Sequence, residues 1–520
     1  MPDLPIRPSV VTRKPVSDLL ERLRRGGLAG ARIDGDPTTT VSGITHDSRG
    51  VQPNDLYVAR AGARTHGIAH LSQAISNGAV AVLTDPASVD AARTAGVAAV
   101  VVVDDPRTAM GAAAAWAYDD AAVGMTLLGV TGTNGKTTTA YLVDSGLRAA
   151  GLRTGLVGTI ETRVVGEVLP SARTTPEATD LHALLAVMKE RGVDAVAMEV
   201  SSHALALGRV DGVVFDVAGF TNLSQDHLDF HHDMADYFAA KAELFTPSHS
   251  RRGVVCVEDE WGLRLTAQAQ VPITTTGSAV PGGDRSPHDW RRLDPSPATA
   301  TEPGSVRLAA ADGREVVVGC SLLGGMNLAN AALGYLMLVE AGIDPAAARD
   351  GVAALRNVPG RLERVDVGQP YLALVDYAHT PRAVTAVLED ARAIAEPGAR
   401  VLVVLGCGGD RDRDKRPLMG RAAALGADSC VFTNDNPRSE DPAEILDAMQ
   451  RDLPPGSRVA VQPDRARAIE IAVGQARPGD VLVVAGKGHE QGQETGGVVV
   501  PFDDRVVLRD AIAASLGTAS

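Results

Sequence analysis

A glycine-rich octapeptide, Thr131-Gly132-Thr133-Asn134-Gly135-Lys136-Thr137-Thr138, constrains this 520-residue chain more than any other stretch. The apolar segment before it, Met125 to Val130, is typical of a buried strand, and the segment after it has helical spacing to about Ala150. A strand, a glycine loop and a helix together form a phosphate-binding site, because backbone N–H groups at the helix N-terminus face the anion. The loop departs from the general pattern, since Val130 stands where its first glycine is expected. A plain glycine turn before a surface helix is therefore the alternative interpretation.

Within this loop, each residue type has a physical role toward a nucleotide. Gly132 and Gly135 let the backbone approach the phosphates, Lys136 would reach the terminal phosphates, and the Thr137 hydroxyl would bind Mg²⁺. The sequence therefore predicts an ATP-type ligand at the carboxyl end of the preceding strand.

The composition limits which classes of protein this can be. The length predicts two to four domains, and an aromatic content of 3% within 45% hydrophobic residues predicts aliphatic cores. A net charge of −14 argues against non-specific nucleic-acid binding. No apolar run has the length of a membrane span, the first 30 residues contain no apolar run typical of a signal peptide, and no cysteine pair has C-x-x-C spacing. We expect a cytoplasmic protein with reduced thiols. Its four cysteines are Cys256, Cys320, Cys407 and Cys430.

Polar clusters follow most of the predicted strands, and strands alternate with helices from about residue 40 onwards. This rhythm predicts an α/β fold with mainly parallel sheets, whose ligands lie beyond the carboxyl ends of the strands. Two stretches break the rhythm. Residues 1 to about 15 are expected to form a disordered tail, and residues 274–304, rich in Pro, Ser, Thr, Gly and Ala, a flexible surface excursion. The predicted helices include Val16 to Arg25, Arg107 to Tyr118 and a helix ending at Glu340.

Several of these clusters, in this order, resemble the signature motifs of the Mur ligases, ATP-dependent amide ligases of peptidoglycan precursor synthesis. The resemblance runs from about Ser42 to Glu490, and the motifs that carry it are Thr131 to Thr138, Glu199 to His203, Asn222 to His227, Pro359 to Glu363, Asp376 to Pro381 and Gly486 to Glu490. It implies three α/β domains: a UDP-substrate-binding domain over residues 1–122, a central P-loop ATPase domain over 123–356, and a C-terminal Rossmann-like, amino-acid-binding domain over 357–520. It also implies that ATP phosphorylates a carboxylate to an acyl phosphate, which an amine then attacks.

The resemblance assigns roles residue by residue. For ATP it implies Gly132, Thr133, Asn134, Gly135, Lys136, Thr137, Thr138, Asn327, Arg361, Asp376 and His379, and for Mg²⁺ it implies Thr137, Glu199, His227 and a carbamylated Lys241. Catalytic roles fall to Lys136, Glu199, His227 and Lys241. For a UDP-muramyl dipeptide it implies Ser48, Arg49, Thr174, Thr175, Ser201 and Arg209. From the residues alone, His227 is a structural hydrogen-bonded histidine and Lys241 a solvated helix lysine.

Within the family, the motif Asp435-Asn436-Pro437-Arg438 is typical of members that add meso-diaminopimelate. The implied contacts of this amino acid are Arg411, Asp435, Asn436, Arg438, Gly486 and Glu490. A cation matched to its second carboxylate would discriminate against lysine by about 10³-fold. The loop around His66 lacks the fuller Asp-Gly-His pattern of the family, which leaves its role open.

Three alternatives stay open at this point. The chain could add L-lysine, act as a folylpolyglutamate-type ligase, or be a nucleotide-gated binding protein without ligase activity. In every case we expect small-molecule substrates, a monomer, and neither a nucleic-acid partner nor a membrane span.

Overall fold

The computed structural model describes residues 6–62, 65–169, 173–278, 288–299 and 302–517. Its helices and strands are arranged around three sheets that follow one another along the chain. The first region contains strands β1 (Lys14–Pro15), β2 (Arg32–Gly35), β3 (Thr40–Val41), β4 (Gly43–Thr45), β5 (Asp55–Val58), β6 (Ala81–Thr84) and β7 (Ala99–Val102), with helices α1 (Val16–Arg25), α2 (Leu71–Ser76), α3 (Val89–Thr94) and α4 (Pro106–Ala117).

Five of these strands form the first sheet in the order β2-β7-β6-β5-β4, in which only β2 runs antiparallel to its neighbour. Strands β5, β6 and β7 are buried along their whole length, as expected for short aliphatic strands in a sheet covered on both faces. The predicted helices at Val16 to Arg25 and Arg107 to Tyr118 are confirmed as α1 and α4.

The central region is built on the largest sheet. It contains β8 (Thr126–Thr131), β9 (Thr154–Val157), β10 (Thr162–Val164), β11 (Glu167–Leu169), β12 (Ala195–Glu199), β13 (Val217–Phe220), β14 (Gly253–Cys256), β15 (Ile273–Gly277), β16 (Asp289–Ser296), β17 (Gly304–Ala310) and β18 (Glu315–Cys320). Its helices are α5 (Lys136–Ala149), α6 (Ala178–Glu190), α7 (Ser202–Ala206), α8 (Met234–Ala242), α9 (Glu260–Gln268), α10 (Gly325–Glu340) and α11 (Pro345–Ala354).

The order of this sheet is β11-β10-β9-β12-β8-β13-β14-β15-β16-β17-β18. Strand β8 lies between β12 and β13 and runs parallel to both. The chain leaves β8 toward β9 on one side and later crosses from β12 to β13 on the other. The loops after these strands therefore diverge, and such a switch point opens a ligand crevice at their carboxyl ends.

The third region contains β19 (Glu363–Arg364), β20 (Leu372–Asp376), β21 (Val401–Cys407), β22 (Ser429–Asn434), β23 (Val459–Val461), β24 (Val481–Ala485), β25 (Gly492–Thr495) and β26 (Val498–Pro501), and helices α12 (Pro381–Ile394), α13 (Lys415–Gly426), α14 (Pro442–Gln450), α15 (Arg465–Gln475) and α16 (Asp504–Gly517). Its sheet has the order β19-β20-β24-β21-β22-β23 and is parallel apart from β19. Aliphatic clusters pack on both faces. The predicted α/β fold with mainly parallel sheets is thus confirmed, and the domain boundaries near residues 122 and 356 stay a proposal.

The expectation of a disordered tail over residues 1 to about 15 is wrong for residues 6–15. The Arg7 guanidinium pairs with Asp55 at 2.8 Å, Lys14 donates to the Trp116 carbonyl at 2.5 Å, and Lys14–Pro15 forms β1 against β3. Prolines predict a lack of regular structure, but they do not exclude extended backbone anchored by charged side chains. Residues 1–5 lie outside the described residues.

The expectation of a flexible excursion over residues 274–304 is also wrong where the structure describes it. Strands β15 and β16 pair in parallel there, and β16 continues antiparallel to β17. The Trp290 side chain is buried in the central core, and the Thr275 hydroxyl bonds to the Asp289 carboxylate at 2.6 Å. Packing of one large side chain outweighs a composition that is unfavourable for strands. Residues 279–287 and 300–301 lie outside the described residues.

Candidate active site

The glycine loop joins β8 to α5, as predicted from its sequence. Gly132 and Gly135 both have positive φ, +142° and +86°. A Cβ at Gly135 would lie 2.5 Å from the Asn330 Oδ1 atom, and one at Gly132 would collide with the Thr221 hydroxyl. Only glycine fits at either position, and the free N–H groups at the start of α5 are left facing the crevice.

Two lysines meet at this loop. The Lys136 ammonium donates to the carbonyls of Gly132 and Thr133, both at 2.8 Å, and the Lys241 ammonium donates to the same Gly132 carbonyl at 2.8 Å. Burial lowers the pKa of Lys136. Burial lowers the pKa of Lys241 well below its ordinary value, and the nearby charge of Lys136 adds to this effect. The two cations therefore compete for one carbonyl, and the neutral amine is favoured at Lys241.

Lys241 is not the solvated helix lysine that the residues alone predict. Its side chain on α8 is fully buried, with the ammonium 4.6 Å from the centre of the Tyr237 ring. Helical spacing around Lys241 does not reveal this, because the carbonyl that accepts from its ammonium belongs to Gly132 in a distant segment of the chain.

The Glu199 carboxylate, at the end of β12, is the centre of a buried network of hydroxyl groups. It accepts from the Thr137 hydroxyl at 2.9 Å, from the Thr159 N–H at 2.8 Å and from the Thr159 hydroxyl at 3.1 Å. Thr159 also bonds to Thr174 at 3.0 Å, and the Arg361 guanidinium donates to the Thr137 hydroxyl at 3.1 Å. Hard oxygen atoms from two strand ends are thus collected beside the loop that is predicted to bind phosphates.

His227 follows β13 and has φ +55°, the left-handed region that a non-glycine residue enters only under constraint. Its ring lies edge-on to His203 at 4.8 Å, and its Nε2 atom lies 3.5 Å from the Asp226 carboxylate. Burial lowers the pKa of His227, so the ring is neutral near pH 7 and can offer a lone pair. Among the described residues, no three His, Cys, Asp or Glu side chains are arranged to hold a metal by themselves.

The third region closes the crevice from the other side. The Asp376 carboxylate accepts from the N–H groups of Leu362 and Ala378, both at 2.8 Å, and burial raises its pKa. The Arg361 guanidinium lies 4.5 Å from the centre of the Tyr377 ring, and the His379 Nε2 atom lies 4.0 Å from Asp226. The contact of His379 with Asp226 and the bond from Arg361 to Thr137 join the third region to the central region beside the glycine loop.

One cavity of about 430 Å³ connects these groups. Its lining includes all the residues predicted for ATP except Gly132, all those predicted for the metal, and four of those predicted for the UDP-linked substrate. They are Thr133, Asn134, Gly135, Lys136, Thr137, Thr138, Asn327, Arg361, Asp376, His379, Glu199, His227, Lys241, Thr174, Thr175, Ser201 and Arg209.

Beside Thr175 in the lining of this cavity, Arg209 lies in a charged cluster that the sequence did not indicate. Its guanidinium pairs at 2.9 Å with Glu177, a buried carboxylate that also faces Arg60 at 3.5 Å and Arg173 at 3.4 Å. Arg209 further donates to the Thr175 carbonyl at 3.3 Å. Three arginines share one carboxylate here, so this part of the cavity carries excess positive charge.

Ser48 and Arg49 lie away from the cavity. They form a short 3₁₀ turn after β4, where the Ser48 hydroxyl donates to Gln73 at 2.8 Å and Arg49 pairs with Asp47 at 2.8 Å. Their contact with a uridine group stays a prediction.

A second polar group lies at the carboxyl edge of the third sheet, where the loops after β21, β22 and β24 meet. The Asn436 amide donates to the Glu490 carboxylate at 2.8 Å, and the Arg438 guanidinium donates to the Gly409 carbonyl at 2.6 Å. Gly486 has φ +113°, and a Cβ there would lie 2.7 Å from the Asp435 carboxylate. The predicted amino-acid residues Asp435, Asn436, Arg438, Gly486 and Glu490 are thus brought together.

Arg411 is the least engaged member of the predicted amino-acid set. A Cβ built on Gly408 would lie 3.1 Å from the Arg438 Nη1 atom and 3.9 Å from the Arg411 Cγ atom, so the two arginines flank the same glycine. The Arg411 guanidinium donates to the Asp410 carbonyl at 3.2 Å and is exposed.

Family models, relatives and solved structures match most of the chain. Three family models match successive parts of the chain: the Mur ligase family catalytic domain over residues 40–118, the Mur ligase middle domain over 130–338, and the Mur ligase glutamate ligase domain over 360–488. A protein of Streptomyces avermitilis named UDP-N-acetylmuramoyl-L-alanyl-D-glutamate--2,6-diaminopimelate ligase is 53% identical, with 99% of each chain covered. A Corynebacterium glutamicum protein of the same name is 43% identical, with 96% of this chain and 97% of the relative covered.

Solved structures show the same similarity. A structure of a UDP-N-acetylmuramoyl-L-alanyl-D-glutamate--2,6-diaminopimelate ligase matches with a TM-score of 0.64 and 33% identity, covering 93% of this chain and 97% of the other. A MurF ligase from Thermotoga maritima in complex with ADP shares the fold, with a TM-score of 0.63, 18% identity, and coverage of 92% and 99%. Among the described residues, no helix has both the length and the hydropathy that crossing a bilayer requires.

Proposed function

The chain belongs to the Mur ligase family, and we propose that it joins meso-diaminopimelate to UDP-N-acetylmuramoyl-L-alanyl-D-glutamate with cleavage of ATP to ADP and phosphate. The relatives at 43–53% identity are named for this pair of substrates, and the similarity supports a role in peptidoglycan precursor synthesis. The choice of amine is supported by one observation: the loops after β22 and β24, which contain Arg438 and Glu490, meet through the bond from Asn436 to Glu490.

Phosphoryl transfer from ATP to the substrate carboxylate needs positioned phosphates and compensated charge more than covalent help. The N–H groups of the glycine loop would hold the phosphates, and the Lys136 ammonium would leave its two carbonyl partners to bind the terminal phosphate. Arg361, which reaches the Thr137 hydroxyl from the third region, would add a second cation on the same phosphates. Asn327, Asp376 and His379 would face the adenosine.

The residues present fit Mg²⁺. The Thr137 hydroxyl and the Glu199 carboxylate are hard oxygen donors next to the phosphate loop, and Mg²⁺ in such sites takes one or two protein oxygens together with phosphates and water. Bound there, Mg²⁺ would neutralise charge on the phosphate oxygens. His227, whose ring is neutral near pH 7, is the proposed additional ligand.

Lys241 is proposed to act as a carbamate. Carbamylation requires the neutral amine, and burial beside Lys136 favours that form. The modified side chain would carry a negative charge close to the Gly132 carbonyl, which accepts from both ammonium groups in the unmodified protein. It would thereby relieve the repulsion between Lys136 and Lys241 and supply oxygen atoms for a second Mg²⁺.

The muramyl substrate would lie in the part of the cavity that holds Thr174, Thr175, Ser201 and Arg209. The excess positive charge around Glu177 suits its carboxylate groups. Once the acyl phosphate has formed, the amine held at the third sheet would attack it, and phosphate would leave.

A phosphate-release assay with each substrate omitted in turn tests this function. We expect release only when ATP, the UDP-muramyl dipeptide and an amino acid are all present, with meso-diaminopimelate preferred over L-lysine and L-glutamate. Release that needs no amine, or equal use of the three amines, would contradict the proposal.

A further inference from the structure

The loop that follows β24 contains a buried lysine, Lys487, between Gly486 and Gly488. Its side chain has 0% relative exposure. The ammonium donates to the Asn436 Oδ1 atom and to the Glu490 Oε2 atom, both at 3.0 Å. A buried ammonium must be paired, and both of its partners belong to the proposed amino-acid site.

These bonds determine the orientation of the Asn436 amide. Its Oδ1 atom accepts from Lys487 and, at 3.0 Å, from the Glu494 N–H of strand β25. With the oxygen engaged by two donors, the Nδ2 group is turned toward Glu490, to which it donates at 2.8 Å. A flipped amide would place its oxygen against the Glu490 carboxylate, would leave the Glu494 N–H without this acceptor, and would leave Lys487 with Glu490 alone.

The same bonds give the two carboxylate oxygens of Glu490 different surroundings. The Oε2 atom accepts from both Lys487 and Asn436, whereas Oε1 has no hydrogen-bond partner in the part of the chain that the structure describes. The Glu490 side chain is 30% exposed, while Lys487 behind it is fully buried. One oxygen is therefore fixed from behind, and the other remains available to a cation that enters from solvent.

We propose that Lys487 is a positioning residue for the amino-acid substrate, acting through Asn436 and Glu490. The inference rests on the proposed function, because it takes Glu490 as the acceptor for an ammonium group of that amino acid. Lys487 holds the carboxylate in one rotamer and excludes the competing amide orientation, so that the incoming ammonium meets a preorganised oxygen. A purely structural lysine would join the two loops without affecting binding of one substrate more than another.

The test compares Lys487→Met, which keeps the length of the side chain and removes the ammonium, with Lys189→Met, an exposed lysine on α6. Lys487→Gln, which retains a hydrogen-bond donor, is the second variant at the site. For each protein, KM and kcat are measured separately for meso-diaminopimelate, ATP and the UDP-muramyl dipeptide, and folding is followed by circular dichroism. For Lys487→Met we expect a KM for meso-diaminopimelate that is about 10- to 100-fold higher, with less than threefold change in the other two KM values. Lys189→Met should match the wild type.

A double-mutant cycle with Glu490→Gln separates action through Glu490 from a general loss of structure. If Lys487 acts through this carboxylate, adding Lys487→Met to Glu490→Gln should raise the KM for meso-diaminopimelate by less than threefold. Fully additive effects, equal increases in all three KM values, an unchanged KM in Lys487→Met, or failure of both Lys487 variants to fold would overturn the proposal. If the wild type itself does not use meso-diaminopimelate, it is the proposed function that fails.

Discussion

Replacing Arg438 by alanine should remove most of the preference for meso-diaminopimelate over L-lysine. Arg438 lies in the loop after β22 with φ +53°, and its backbone is held by strand β25 through the Glu494 carbonyl at 3.0 Å. The Nη1 group donates to the Gly409 carbonyl, whereas Nη2 has no hydrogen bond among the described residues. This leaves one side of the planar guanidinium for the second carboxylate of the amino acid.

The surroundings of Arg438 set the size of the effect. An uncompensated, fully buried charge would cost about 3–5 kcal/mol, which corresponds to the 10³-fold discrimination expected from the sequence. However, the side chain is 23% exposed, and its Nε atom lies 3.7 Å from the Glu494 carboxylate, so lysine would not leave it without a counter-charge. The remaining contribution is that of charge-assisted hydrogen bonds, about 1.5–3 kcal/mol. We therefore predict a discrimination of about 10²-fold.

The assay is kcat/KM for both amines, measured by phosphate release. The wild type should prefer meso-diaminopimelate by about 10²-fold, and Arg438→Ala should reduce the ratio to near unity, mainly through a higher KM for meso-diaminopimelate. Arg438→Lys, which keeps the charge without the fork, should fall between them. The control is Arg467→Ala, which removes an exposed arginine on α15 of the same region.

Two results would refute this reasoning. Equal use of both amines by the wild type would exclude a carboxylate-selecting site. An unchanged ratio in Arg438→Ala would remove this residue from the selecting contacts and leave Arg411 as the remaining arginine beside Gly408.

Three further predictions concern the lysines of the glycine loop and the packing of the third region. Lys136→Ala should lower kcat by about 10²-fold or more without unfolding the protein, and near-normal turnover would contradict its role on the phosphates. Lys241→Ala should be nearly inactive and partly restored by acetate or formate, and removing CO₂ from the buffer should reversibly lower wild-type activity; a fully active alanine variant would exclude the carbamate. Arg465→Met should destabilise the third region by about 3–5 kcal/mol in urea unfolding, because it leaves the fully buried Asp504 carboxylate, 2.7 Å away, without its partner; a loss below about 1 kcal/mol would contradict this.

The sequence was sufficient to predict the parts of the site that depend on one segment at a time. A glycine loop between a strand and a helix is specified by local backbone requirements, as the positive φ values of Gly132 and Gly135 confirm. Parallel strands end at the same edge of a sheet, so polar residues such as Glu199 and His227, which follow β12 and β13, were expected near that loop. Both line the same cavity.

The residues that the sequence could not reveal are those whose surroundings come from distant segments. Thr159 gives its N–H and its hydroxyl to Glu199, but nothing in its neighbourhood marks it. Glu177 is the shared partner of three arginines, one of them from the first region, and only the packing of the first and central regions brings them together. Lys487, next to the predicted Gly486, reads as a polar loop residue until its burial is known.

Contacts between the central and third regions bring together the residues that are predicted to bind ATP. Arg361 reaches the Thr137 hydroxyl, the same hydroxyl bonds to Glu199, and His379 approaches Asp226 beside His227. The groups predicted to bind ATP are therefore complete only when both regions are in contact. The sheet edge proposed to hold the amino acid belongs to the same α/β region as Arg361 and His379, because β20, β24 and β22 are members of one sheet. If the amine is held at this edge as proposed, the contact of the third region with the glycine loop would also set the position of the attacking group relative to the phosphates.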